Sequence, residues 1–289
     1  LTNRNRLSNT KAGSHLSTFS VANSGSDMEF CEVSEESKQR YLSRVPKAFV
    51  LDDTILPGLL FSSESILSSK ETTQLEQDDV VIASYPKSGT TWASEIVSAI
   101  AYEADIELLN RTKMEDRVTW LEVDKSRLPA ESMFHASKRR SASPPARKRI
   151  WFTHLHVDHL PDAVKEGKCK LIYVARNPKD QAVSSFHFHR SARFLGLRTD
   201  MTWNEFFSHF RSGFICFGSW FNHVLPYWKF IRNNPKAKLI RYEDMQRNLL
   251  AEIKSLEEFI EVPLMIDQRL KIAEHCSFES MKNNKMTNR

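Results

Sequence analysis

Four short apolar runs constrain this 289-residue chain more than any other feature. They are residues 79–85 (DVVIASY), 149–153 (RIWFT), 170–175 (KLIYVA) and 238–242 (KLIRY), all rich in β-branched or aromatic residues. Helical patterns lie between and after them, most clearly over 90–102, 178–190, 219–232, 242–260 and 267–275. A strand that is apolar along its whole length has no face to offer water, so it belongs in a sheet covered on both sides. Such strands alternating with helices predict an α/β fold, a central parallel sheet flanked by helices on both faces. Ligands of such sheets bind beyond the carboxyl ends of the strands.

Composition sets the limits around that core. Residues 1–40 are rich in Ser, Asn and Thr and poor in large apolar residues, which predicts a disordered N-terminal arm ahead of one domain over 41–289. No run approaches the roughly 18 apolar residues a membrane span needs, and no apolar signal core opens the chain, so no membrane partner is expected. Cys31, Cys169, Cys216 and Cys276 are widely spaced with no C-x-x-C pair, which reads as reduced thiols in a cytoplasmic protein. The net charge of +5 is concentrated between 138 and 149, where Lys138, Arg139, Arg140, Arg147, Lys148 and Arg149 stand without an acid. Taking those six from +5 leaves −1, so no nucleic-acid partner is implied. The basic segment reads as a solvated loop.

Two segments carry chemistry. Residues 85–92, Y-P-K-S-G-T-T-W, follow the first strand run and open the first helix. Gly89 permits a tight turn and close backbone approach, and the helix start offers amides to an anion. Lys87 adds a full charge, Ser88, Thr90 and Thr91 add hydroxyls, and Trp92 offers a face to a base. The lysine precedes the glycine, unlike the G-K-[ST] of nucleoside-triphosphatase loops, so the segment is a P-loop-like strand–loop–helix. The second segment, residues 176–184 (R-N-P-K-D-Q-A-V-S), begins where the strand 170–175 ends. Arg176 and Ser184, the latter about two helical turns on, can converge on a second phosphate. An ion pair of Arg176 with Asp180 is the competing reading.

Together these segments resemble the cytosolic sulfotransferase family. The resemblance runs from about Val50 to Asn288. It includes RVTWLE at 117–122, THL at 153–155, FGSW at 217–220, RYEDM at 241–245 and SFESMKN at 277–283. It implies 3′-phosphoadenosine 5′-phosphosulfate as co-substrate, no metal, and a small acceptor bearing a hydroxyl: a phenol, alcohol or sterol-like molecule. Lys87, Ser88, Gly89, Thr90 and Thr91 match the 5′-phosphosulfate loop, and Arg176 and Ser184 the 3′-phosphate site. Trp92, with Tyr242, Cys276 and Phe278, matches the adenine surroundings. His154 matches the general base and Lys87 the residue that stabilises the leaving oxygen. Trp120, Val123 and Phe188 match the acceptor pocket. For Trp120 and Phe188, plain core packing is the alternative.

There are three departures from the family pattern. Phe152 stands where the family often has a lysine, and Cys276 replaces a hydroxyl residue. The chain also ends at Arg289, ahead of the R-K-G-x-x-G segment with which the family completes the 3′-phosphate site and of its usual dimer segment. The expectation is a domain cut short at its C-terminus, with its oligomeric state left open. A non-catalytic nucleotide-binding isoform is therefore one alternative. Another comes from His154, His156, Asp158 and His159, whose H-x-H-x-D-H spacing resembles the zinc motif of metallo-β-lactamase-fold hydrolases. That fold needs a later histidine in a Gly-His turn, and the later candidates, His187, His189, His209, His223 and His275, include none.

Overall fold

The computed structural model describes residues 28, 30–33, 48–71, 73, 75–127, 147–192, 195 and 200–287. Eight strands follow in chain order: β1 (Phe30–Glu32), β2 (Phe49–Leu51), β3 (Thr54–Leu56), β4 (Val80–Ser84), β5 (Val118–Trp120), β6 (Ile150–Thr153), β7 (Lys170–Ala175) and β8 (Ala237–Arg241). The last five form one sheet in the order β5-β6-β4-β7-β8. Every pairing in it is parallel.

The helices are α1 (Ser63–Glu71), α2 (Thr90–Ala101), α3 (Ile106–Arg111), α4 (Met114–Arg117), α5 (Asp162–Lys165), α6 (Pro178–Ser191), α7 (Trp203–Ser212), α8 (Trp220–Arg232), α9 (Tyr242–Arg247), α10 (Leu249–Ile260), α11 (Ile266–His275) and α12 (Phe278–Asn283). The period of two along each strand divides them between the two faces of the sheet. Val80, Ile82, Ile172 and Val174 pack with Ile96 and Val97 of α2 and Ile253 and Leu256 of α10. Val81, Ala83, Leu171 and Tyr173 pack on the other face with Val164 of α5 and Tyr227 of α8. The doubly covered parallel sheet expected from the apolar runs is what forms.

A second, antiparallel sheet of order β1-β2-β3 lies outside the sequence expectation. Its three-residue strands are too short to show a period. It shares an apolar cluster with α6, α7 and the segments after β4 and β6, through Ile55, Phe186, Phe206, Phe210, Tyr85 and Leu155. The phenol of Tyr85 donates to the carbonyl of Gly218 at 2.8 Å, and the amide of Phe217 to that of Ile55 at 2.8 Å.

The arm expected over residues 1–40 is corrected at its end: Phe30–Glu32 pairs with β2, and Met28, Phe30 and Val33 are buried. Residues 1–27 and 34–47 lie outside the described residues, as does most of the basic segment, 128–146. At the end of that segment Arg147, Lys148 and Arg149 pair with Glu103, Asp78 and Asp79. The helix expected over 242–260 is two helices. Asn248, at φ −152°, breaks it and caps α10 by accepting from the amide of Ala251 at 3.1 Å. Among the described residues no helix is long and apolar enough to cross a membrane.

Candidate active site

Parallel pairing brings the carboxyl ends of all five strands to one edge. The chain leaves the central strand β4 for β5 and β6, then crosses to β7 and β8. The loops after β4 and β7 therefore face each other at the point where the strand order reverses, the usual crevice of such sheets.

The loop after β4 is held open by backbone geometry. Lys87 has φ 69° and Gly89 φ 103°, both in the left-handed region. A Cβ on Gly89 would lie 2.6 Å from Cδ2 of Tyr242, so only glycine fits under that ring. For Lys87 the conformation costs about 1 kcal/mol. The surroundings enforce it: the Lys87 carbonyl accepts from Nη1 of Arg176 at 3.1 Å, and the Pro86 carbonyl accepts from the Gln181 amide. Ser88 is buried, and its hydroxyl donates to Oε1 of Gln181 at 3.0 Å. Its side chain thus locks the loop to α6. The hydroxyls of Thr90 and Ser84 are 2.6 Å apart at the start of α2.

The side chains from this loop and the next gather on one another. Nζ of Lys87 lies 4.4 Å from the centre of the Phe188 ring, and the guanidinium of Arg176 lies 4.3 Å from that of Tyr242. Tyr242 meets Trp92 edge-on at 5.4 Å, and Nε1 of Trp92 donates to the carbonyl of Cys276 at 2.7 Å. Glu243 accepts from the Asn177 amide at 2.8 Å and so ties the end of β8 to the end of β7. Burial, and then the charge of Arg176, hold the Lys87 ammonium below its ordinary pKa. Among the described residues neither Lys87 nor Arg176 pairs with a carboxylate, and Nε of Arg176 is buried without a hydrogen-bond partner. Two half-buried cations thus stand beside each other with no carboxylate partner among the described residues, an arrangement suited to an anion.

His154 stands just beyond β6 and is clamped from three sides. Its amide donates to Oε1 of Glu122 at 2.8 Å, its carbonyl accepts from Nε2 of His223 at 3.1 Å, and Nδ1 lies 2.8 Å from the carbonyl of Ser84. A carbonyl only accepts, so Nδ1 carries the hydrogen, and in the neutral ring Nε2 holds the lone pair. Trp120, Phe152 and Phe217 surround the imidazole edge-on at 5.8, 5.9 and 5.7 Å. Phe152 stacks on Trp120 at 5.0 Å, so this position is part of an apolar wall rather than a cation.

Lys87, Trp92, Arg176, Phe188 and Tyr242 are thus linked side by side, and Ser84 joins His154 and Trp120 to the start of α2. Val123 is buried, and Ser184 is half-buried on α6. Phe278 is 71% exposed. The Cys276 side chain is wholly buried in the core, and the residue's carbonyl accepts from Trp92. Arg176 is turned to the Lys87 carbonyl and to Tyr242, not paired with Asp180. Glu122, Gln181 and His223 were missed in the sequence. A lone acid two residues past a strand-ending tryptophan was the available signal for Glu122; nothing local marked the other two.

The zinc reading finds no support. His159 pairs with Asp52 at 2.9 Å, His156 lies 3.4 Å from the Thr54 hydroxyl, and His154 is turned to Ser84. Among the described residues no group of three or more His, Cys, Asp or Glu is disposed to hold an ion.

The chain is similar to known proteins in sequence and in fold. The family model described as Sulfotransferase domain matches residues 77–289. Sulfotransferase 1A1 of Canis lupus familiaris is 36% identical over 247 residues, which are 85% of this chain and 79% of that protein. Sulfotransferase 1C2 of Rattus norvegicus is 38% identical over 222 residues, 77% of this chain and 72% of its own. Among solved structures, a retinol dehydratase in complex with androsterone and the inactive cofactor PAP has a TM-score of 0.73 at 26% identity, covering 90% of this chain and 83% of that one. Mouse sulfotransferase SULT7A1 complexed with PAP has a TM-score of 0.61 at 33% identity, covering 81% and 75%.

Two outcomes follow from the local geometry. Gly89→Ala strains the backbone and drives a methyl into Tyr242, so urea denaturation will show a loss of about 1–3 kcal/mol; an unchanged midpoint contradicts the close approach. The second concerns Glu122, whose carboxyl is pushed up to about 6 by burial, against the opposing hydrogen bond from the His154 amide. The folded state holds this proton more tightly than the unfolded chain does. The associated stability is complete below the ordinary value of 4.5 and is lost as pH rises through 6. Glu122→Gln removes that dependence. Its stability relative to the wild type will rise by about 2 kcal/mol between pH 4.5 and 7.5. A difference that stays constant with pH contradicts the assignment.

Proposed function

We propose that this chain, which belongs to the sulfotransferase domain family, moves a sulfuryl group from 3′-phosphoadenosine 5′-phosphosulfate to the hydroxyl of a small phenol, alcohol or sterol-like acceptor. The observation that carries the reading is the pair of cations without carboxylate partners, Lys87 and Arg176, at the crevice where the strand order reverses. PAP in the related structures supports the same class of nucleotide.

The residues present fit such a co-substrate. The loop 87–91 presents the start of α2 and the Lys87 ammonium to the 5′ end. Arg176, with Ser184 further along α6, takes the 3′-phosphate. Trp92, whose ring meets Tyr242 edge-on, offers a surface to the base, and the exposed Phe278 is assigned to the same part of the site. The co-substrate supplies an activated sulfuryl group. His154 accepts the acceptor's hydroxyl proton on Nε2 as the new oxygen–sulfur bond forms and the bond to the phosphate oxygen breaks. Lys87 stabilises the charge left on that oxygen. Ser84 and Glu122 keep His154 in one orientation and one tautomer throughout.

The apolar wall of Trp120, Phe152 and Phe217 around His154 favours a planar or hydrophobic acceptor. Related structures hold androsterone or retinol, hydrophobic molecules that each carry a hydroxyl or keto oxygen. Phe188, under Lys87, extends the wall toward the sulfuryl group. No step in this scheme calls on a metal, and four free cysteines accord with a cytoplasmic setting.

His154→Ala will lower kcat by at least a hundredfold while PAP still binds with its wild-type affinity, measured by calorimetry beside turnover of a phenol panel. Retained turnover removes His154 as the base. Loss of PAP binding together with turnover makes its role structural. A wild-type chain that binds PAP and turns over no acceptor is the non-catalytic isoform.

A further inference from the structure

Glu95, on α2 three residues after Trp92, is wholly buried and ionic. Its carboxylate lies 2.8 Å from Nη2 of Arg117 and 2.7 Å from Nε2 of His275, and all three side chains are almost entirely out of solvent. Positions three apart share one helix face. The same face of α2 therefore makes two contacts with consecutive residues of the α11–α12 corner: Glu95 with the His275 ring, and Trp92 with the Cys276 carbonyl at 2.7 Å. Beyond the corner Ser277 caps α12, and Phe278 stands 71% exposed as its first residue.

A buried ion pair such as Glu95–Arg117 is seldom retained for stability, because desolvation consumes most of the Coulombic gain. Burial opposes the Glu95 charge, yet the hydrogen bonds and charges of His275 and Arg117 keep its carboxyl below the ordinary value, so it remains an acceptor for both donors. What the triad does secure is position. Arg117 immediately precedes β5, and its Nε donates to the Thr112 carbonyl at 3.3 Å, so the carboxylate is anchored to the sheet before it grips His275.

We infer that Glu95 and His275 are positioning residues for nucleotide binding, fixing the α11–α12 corner so that Trp92 and Phe278 hold a defined gap for the adenine ring. The inference rests on the nucleotide reading above and concerns neither the sulfuryl group nor the acceptor. Without the Glu95–His275 bond, Trp92 supplies the remaining hydrogen bond, among the described residues, between this face of α2 and the corner, beside apolar packing of Ile272 and Cys276, and the orientation of Trp92 itself depends on the corner.

The test is steady-state kinetics and calorimetric titration with 3′-phosphoadenosine 5′-phosphate on three variants and the wild type. His275→Leu fills the space without a donor and will raise the PAP dissociation constant and the co-substrate KM about tenfold, with kcat within about twofold. His275→Gln, whose amide reaches where Nε2 was, will recover most of the affinity. His275→Asn, whose amide falls short of Glu95, will behave as His275→Leu does and stands in for it if that variant does not fold. A lowered melting temperature with unchanged KM and PAP affinity overturns the inference, as does a fall in kcat alone. Failure of the wild-type chain to bind PAP overturns the nucleotide reading and this inference with it; wild-type binding that His275→Leu leaves unchanged overturns only the inference.

Discussion

The parallel pairing of β4 with β6 on one side and β7 on the other is the constraint on which the rest depends. It sends the ends of all five strands to one edge, so Lys87, Trp120, His154, Arg176 and Tyr242 arrive together from strands far apart in sequence. The register carries the alignment: Ser84 opposite Val174, Ala83 opposite Thr153, Ala175 opposite Arg241. A slip of one residue in β6 would exchange its two faces. His154 would then lose both the Ser84 carbonyl and the Glu122 carboxylate.

The site on this edge is assembled from groups that are unfavourable in isolation. Lys87 occupies a left-handed conformation, and its ammonium is half-buried next to a second cation. Glu122 is wholly buried with its carboxyl raised to about 6. Such costs persist where surrounding contacts over-determine them. Here Gln181, Arg176 and Tyr242 hold the loop, and Ser84, Glu122 and His223 hold the histidine. In the proposed scheme, anions bound at Lys87 and Arg176 would offset the repulsion between the two cations, so binding and the proposed chemistry would draw on the same arrangement. The small β1-β2-β3 sheet supports the arrangement from outside the main sheet, through Ile55 and the carbonyl it offers Phe217.

The core was legible because parallel strands buried on both faces announce themselves as unbroken apolar runs; residues 79–85 and 170–175 need no partner to be recognised. The motifs were legible because a phosphate loop is local, with Lys87, Gly89 and Thr90 adjacent in sequence. Edge elements were not. β5 is three residues at the rim, and β1 pairs a segment whose composition reads as disorder. The break at Asn248 follows from a cap that competes with the helix, which an apolar period passes over. The supports of His154 were hidden for a different reason. Glu122 and His223 reach it from 32 and 69 positions away, and only the folded chain joins them. Cys276 shows the converse: its place in a motif suggested a side-chain hydrogen bond, while the bond to Trp92 is accepted by its carbonyl.

The claim that Lys87 and Arg176 form a two-anion site is tested most directly by comparing PAP with adenosine 5′-phosphate on the wild type and on Arg176→Met. If Arg176 reads the 3′-phosphate, the wild type will prefer PAP by at least about tenfold, roughly 1.4 kcal/mol, and the substitution will erase that preference, weakening PAP far more than adenosine 5′-phosphate. Equal preference for PAP in both proteins would contradict the account.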